Sequence, residues 1–138
     1  MRQAECVFID SGAWIALALS RDPMHARARD TWQGLNAAGA RLRTSVPVVL
    51  ETFTFLERNA AREAALAWKT SLAGVKRLQI LPCATKELDA AWRYFDRPDL
   101  HKLSATDAVS FVLMSQRKIT KAFTFDAHFA TAGFTIVG

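Results

Sequence analysis

Short apolar runs recur along this chain, separated by longer stretches of helical periodicity, and that alternation limits the fold more than any other feature. Cys6-Val7-Phe8-Ile9 is continuously apolar, which suits a strand covered on both faces. Arg41 to Thr44, Leu78 to Leu81, Ala122 to Phe125 and Phe134 to Val137 read as further strands. Between them, helices are expected from Gly12 to Leu19, from His25 to Ala37, and from near Pro47, a residue suited to a first helical turn. Asn59-Ala60-Ala61-Arg62 interrupts that third helix, and another runs on to about Gly74. Thr85 to Phe95 and Ser104 to Arg117 complete the set. Strands separated by helices predict an α/β fold around a mostly parallel central sheet of four to five strands. Ligands in such sheets bind beyond the carboxyl ends of strands. Asp10 and Asp126 each follow directly on a strand-like run.

The chain has 138 residues, so a single domain over residues 1–138 is expected, and 51% hydrophobic residues are enough for a real core. No apolar run reaches the roughly 18 residues that a membrane span needs. The start of the chain lacks the apolar segment of a signal peptide, so a cytoplasmic protein with no membrane contact is expected. Cys6 and Cys83 form no C-x-x-C pair and read as two buried free thiols. His25, His101 and His128 are too scattered for a zinc site.

Thirteen residues are acidic, and nine of them have a Lys or Arg within three positions, as a solvated face does. Asp10, Glu51, Asp107 and Asp126 do not. Each stands alone in an apolar run that looks like core, where a charge is costly without specific compensation. Local explanations exist for single members. Asp10 can cap the helix near Gly12, and Asp107 follows Ser104 at capping-box spacing. Asp126 can open a turn before Ala127, and Glu51 can lie on an exposed helical face. Four such residues together suggest a common purpose. Two carboxylates about 4 Å apart repel by roughly 4 kcal/mol at an effective dielectric near 20. A converging set therefore needs protons or a cation at its centre. Oxygen ligands without Cys or His suit Mg²⁺ or Mn²⁺. The net charge is +5, and without these four acids the chain carries 18 basic residues against 9 acidic ones. An acidic site in a basic body suits a phosphate-backbone substrate.

These residues, in this order, resemble the PIN-domain ribonucleases, specifically the VapC type of bacterial toxin–antitoxin systems. The resemblance rests on Phe8-Ile9-Asp10-Ser11-Gly12-Ala13-Trp14, Arg21-Asp22-Pro23-Met24-His25, Thr44-Ser45 through Glu51-Thr52, Ser104-Ala105-Thr106-Asp107-Ala108-Val109-Ser110-Phe111, and Phe123-Thr124-Phe125-Asp126-Ala127-His128-Phe129. Ser11 replaces the Thr often found after the first acid, and the Trp92-Arg93-Tyr94 segment matches no shared motif. The resemblance implies a PIN-like α/β/α sandwich that binds Mg²⁺ or Mn²⁺ and cuts RNA. It also implies a homodimer, and inhibition by a small cognate antitoxin protein.

On that footing Asp10, Glu51 and Asp107 hold a metal, and Asp126 completes the site or helps a second ion. The metal activates a water for attack on phosphorus, with Thr124 supporting Asp126 and His128 serving a structural role. Arg41, Arg43, Lys69, Lys76, Arg77, Arg117, Lys118 and Lys121 are the residues expected to position RNA, and the Trp and Phe residues are expected in the core. Two rival readings remain: another Mg²⁺-dependent phosphoesterase, and a degenerate PIN fold that binds nucleic acid or assembles without cleaving.

Overall fold

Val7, Phe8 and Ile9 have no exposed surface, and the strand they form, β1 (Cys6–Ile9), lies at the middle of a five-stranded sheet. The computed structural model describes residues 4–138. On one side of β1 lie β2 (Arg41–Ser45) and then β3 (Leu78–Leu81); on the other lie β4 (Lys121–Phe123) and then β5 (Thr135–Val137). All four pairings are parallel, with Val7 opposite Leu42 on β2 and Lys121 on β4. The chain builds outward from β1 to β3, then crosses back to β4 on the far side. The switch in direction falls between β1 and β4, where an open α/β sheet leaves a crevice beyond its strand ends.

Among the described residues, seven α-helices connect the strands: α1 (Ser11–Ala18), α2 (His25–Ala37), α3 (Val46–Asn59), α4 (Arg62–Leu72), α5 (Thr85–Ala91), α6 (Ala105–Gln116) and α7 (His128–Thr131). The result is the α/β/α sandwich expected, with an all-parallel sheet. Two helix starts are set by local chemistry. The Ser45 hydroxyl accepts from the Val48 N–H, and Pro47 occupies the first turn of α3. The Ser104 hydroxyl accepts from the Asp107 N–H at 3.0 Å and starts α6. Leu42, Leu56, Leu81, Phe111, Phe123 and Phe129 are fully buried around the sheet.

The structure departs from the sequence expectations in a few places. The helix expected from Thr85 to Phe95 ends at Ala91 and tightens into a 3-10 turn, Trp92–Asp96. Tyr94 is buried edge-on against Phe111, whereas Trp92 and Phe95 stay exposed and so fall outside the expected aromatic core. The helix α7 was not anticipated. The two thiols are free but only half-buried. Cys6 opens its strand at the end of the sheet, and Cys83 follows the edge strand β3, so neither is enclosed.

The fully buried Thr44 ties the sheet to α1. Its hydroxyl donates to the Ile9 carbonyl at 2.9 Å and accepts from the Trp14 indole N–H at 3.1 Å. Thr44→Val keeps the shape but leaves that buried N–H without an acceptor. We expect a loss of about 1–3 kcal/mol, read as a lower urea midpoint with an unchanged slope. A neutral substitution would show that this bridge contributes nothing.

Candidate metal centre

Asp10 is the residue on which β1 ends and α1 begins. It occupies the N-cap position, yet its side chain makes no capping hydrogen bond. Instead Oδ2 accepts from the Thr124 hydroxyl at 3.0 Å, while Oδ1 is buried with no partner. The same Thr124 hydroxyl accepts from the Asp126 N–H at 3.0 Å. One side chain just past β4 therefore fixes two acids from neighbouring strand ends. Glu51, one turn into α3, accepts from the Ser11 hydroxyl at 2.5 Å. Asp107 sits in the first turn of α6 and is almost fully buried. Asp126 accepts from the His128 N–H at 2.9 Å, the turn anticipated from the sequence. Its Oδ1 also lies 2.8 Å from His128 Nδ1, a close approach without the direction of a hydrogen bond. The other ring nitrogen, Nε2, lies 2.6 Å from the His101 carbonyl.

All four acids line one cleft of about 550 Å³, with Ser11, Ser104 and Lys102 on its walls. Single ligand atoms of Asp107, Asp126 and His128 fall within 4.8 Å of one another. The capping explanations for Asp10 and Asp107 therefore do not compete with a shared site. Asp10 leaves the cap unused, and Asp107 enters its cap only as a backbone N–H donor to Ser104, so the cap does not occupy its carboxyl.

The electrostatics follow from that crowding. Burial, above all, pushes the Asp10 carboxyl up to about 6; the nearby Ser11 backbone N–H and the Thr124 hydroxyl oppose the rise, and the charges of Glu51 and Asp126 add to it. Asp107 is raised as well, by burial first and then by the charge of Asp10 and the contact with Asp126. Partial burial also acts upward on Asp126, but the hydrogen bond from Asp107 and the His128 N–H outweigh it and hold Asp126 below its ordinary range. Burial and their mutual contact thus push the two neighbouring carboxyls in opposite directions.

Glu87 shows what a structural acid looks like here. It is 5% exposed, although Lys86 beside it makes it read as solvated from the sequence. The Ala84 N–H donates to it at 2.9 Å and the Gln116 amide at 3.1 Å, and these two, in that order, hold its carboxyl below the usual range. Donors satisfy Glu87, whereas a buried oxygen on Asp10 lacks one. An orphaned carboxylate oxygen and an oxygen-rich donor set fit a divalent cation with hard oxygen ligands.

The basic residues expected to position RNA are not where the acids are. Arg41, Arg43, Lys76, Arg77, Arg117, Lys118 and Lys121 lie at or near the N-terminal ends of β2, β3 and β4, opposite the cleft. Arg41, Arg43 and Arg77 donate to backbone carbonyls there, and Lys121 pairs with Glu5. None of the eight, Lys69 of α4 included, lines the cleft; its one lysine or arginine is Lys102, which the sequence reading passed over. The available signal was its place two residues before the Ser104 cap.

The fold and the site define a class: parallel α/β proteins whose acids gather in the crevice beyond the sheet's switch point. The PIN domain family model matches residues 7–135. The 23S rRNA-specific endonuclease VapC20 of Mycobacterium tuberculosis, from strains CDC 1551 / Oshkosh and H37Rv, is 33% identical over 95% of this chain and 97% of its own. The crystal structure of M. tuberculosis VapC20, described as a sarcin–ricin loop cleaving toxin, superposes with a TM-score of 0.82 at 29% identity, covering 94% of this chain and 96% of the other. DNA-bound VapBC from Salmonella typhimurium shares the fold, with a TM-score of 0.65 at 18% identity over 97% of both chains. The chain belongs to the PIN-domain family, among its VapC-type ribonucleases.

The raised carboxyls make a prediction for the metal-free protein. Asp10 binds its proton more tightly folded, at about 6, than unfolded, at 3.8. Stability is therefore lost as pH rises from about 4 to 6, by roughly 3 kcal/mol from this group alone. Asp107 adds a loss of the same sign at higher pH. In EDTA we expect the urea midpoint to fall between pH 4.5 and 7.5, and Asp10→Asn to be more stable than the wild type at pH 7.5. A wild-type midpoint that rises over this window would contradict the assigned electrostatics.

Proposed function

We propose that this protein is the toxin of a VapBC-type pair, a nuclease that hydrolyses RNA with Mg²⁺ or Mn²⁺ held by Asp10, Glu51, Asp107 and Asp126. The observation that carries this reading is the unpartnered buried oxygen of Asp10 in a cleft shared with three other acids. When bound, a divalent cation lowers the pKa of a water and offsets charge on the phosphate oxygens. The chain's own groups do the rest. Thr124 holds Asp10 and Asp126 at a fixed spacing, and Ser11 holds Glu51 against α1. Asp107 and Asp126 would hold the cation from the first turn of α6 and from the turn that follows β4. His128 keeps Asp126 in its turn. Water adds to phosphorus as the bond to the 3′ oxygen breaks, leaving a 5′-phosphate and a 3′-hydroxyl.

The M. tuberculosis relative's named substrate makes 23S rRNA the first RNA to assay. A small cognate antitoxin protein and a second copy of this chain are the proposed protein partners. Support comes from apolar residues left exposed beside the cleft, Val46, Leu50 and Phe55 on α3 and Leu88 on α5. No helix among the described residues is long and apolar enough to cross a membrane, in keeping with the proposed cytoplasmic site of action.

The test uses partner-free protein with RNA in Mn²⁺, Mg²⁺ and EDTA. Asp10→Asn and Asp107→Asn should each lower the cleavage rate by about 100-fold or more, and EDTA should abolish it. Mn²⁺ should raise the melting temperature of the wild type and raise that of Asp10→Asn less. Cleavage that survives EDTA, or survives in both variants, would end this reading.

A further inference from the structure

Among the described residues, Lys102 is the one lysine or arginine lining the acidic cleft. Its side chain makes no ion pair or hydrogen bond among the described residues. Its backbone takes up the left-handed region, φ +55°, as Arg77 and Lys118 do away from the cleft. A turn that needed only this backbone shape would be served better by glycine.

The surroundings impose it here from both sides. On one side the His101 carbonyl faces the His128 ring at 2.6 Å, and that ring also touches Asp126. On the other side Leu103 is buried, and Ser104 caps α6 through the Asp107 N–H. The segment carrying Lys102 is thus fastened beside Asp107 and Asp126. Among the described residues, its ammonium is the only lysine or arginine charge on the walls of a cleft whose acids repel a phosphate backbone, and seven of the eight basic residues considered above lie at or near the opposite edge of the sheet.

We propose that Lys102 is a substrate-positioning residue, whose ammonium holds a non-bridging oxygen of an RNA phosphate at the cleft while the four acids act on the backbone. This rests on the nuclease reading above and adds a residue to it. The role is one of position and charge, so arginine should serve in part and a neutral side chain should not.

Two variants separate this role from a structural one. Lys102→Gln removes the charge, and Lys102→Gly removes the strained side chain. Both should cleave a short single-stranded RNA in Mn²⁺ with kcat/KM lower by about 10-fold or more, as loss of a charge-assisted hydrogen bond requires, and Lys102→Arg should recover most of it. Lys102→Gly should nevertheless melt at or above the wild-type temperature, and the Mn²⁺-induced rise in melting temperature should be unchanged in both. The same RNA, bound to Asp10→Asn with and without Lys102→Gln, should show a slope of log affinity against log salt that is shallower by about 0.7 in the double variant. Wild-type kcat/KM in Lys102→Gln, an equal salt slope, or a lost Mn²⁺ response would overturn the proposal. If the wild type cleaves no RNA at all, the nuclease reading fails, and the binding slopes still decide the role of Lys102.

Discussion

Carboxylates gathered at one end of a parallel sheet repel each other and resist leaving water, and the fold around them is arranged to tolerate both costs. Asp10 and Asp126 come from neighbouring strand ends, and a single hydroxyl, that of Thr124, spaces them. Glu51 arrives on α3 and is met by Ser11. Asp107 enters in the first turn of α6, where the helix N-terminus favours negative charge. What these donors leave uncompensated appears as raised carboxyls on Asp10 and Asp107. The free protein is thus held in a state that a cation improves.

The same directionality sorts the positive charges. Parallel strands joined by helices place the starts of α1, α3 and α6 at the cleft, and the ends of α2 and α6 at the opposite edge. Helix C-termini favour cations, and seven of the eight basic residues singled out from the sequence lie at or near that edge. Arg41, Arg43 and Arg77 bond to carbonyls there. Much of the surplus positive charge is therefore accounted for by the architecture before any substrate is considered. A basic composition is consistent with an RNA partner, but it does not locate where the RNA lies.

Much of the fold was legible in the sequence because buried strands write themselves as unbroken apolar runs. Cys6–Ile9 and Leu78–Leu81 match their expected limits, and His25–Ala37 does so among the helices. The convergence of the four acids was legible too, since an acid with no charged neighbour in an apolar run has few ordinary explanations. The rule failed on Glu87, whose neighbour Lys86 is solvent-exposed while Glu87 turns inward to the Ala84 N–H and Gln116. Neighbours in sequence do not report where a side chain points. Lys102 was missed for the converse reason: its importance lies in the acids around it, which the chain brings together from residues 10, 51, 107 and 126. The tightening at Trp92 depends on Tyr94 meeting Phe111, a contact that no local pattern encodes.

Glu87 and Asp10 together show what separates a structural acid from a reactive one. Both are nearly inaccessible, so burial alone does not distinguish them. Glu87 is met by a backbone N–H and an amide, and its charge is stabilised within the chain. Asp10 receives one hydroxyl and keeps a buried oxygen bare. A fold selected for stability alone would supply the missing donor or replace the acid. The absence of one at the switch point, among three other acids, is a local cost that a proton offsets at low pH and a bound cation would offset at neutral pH.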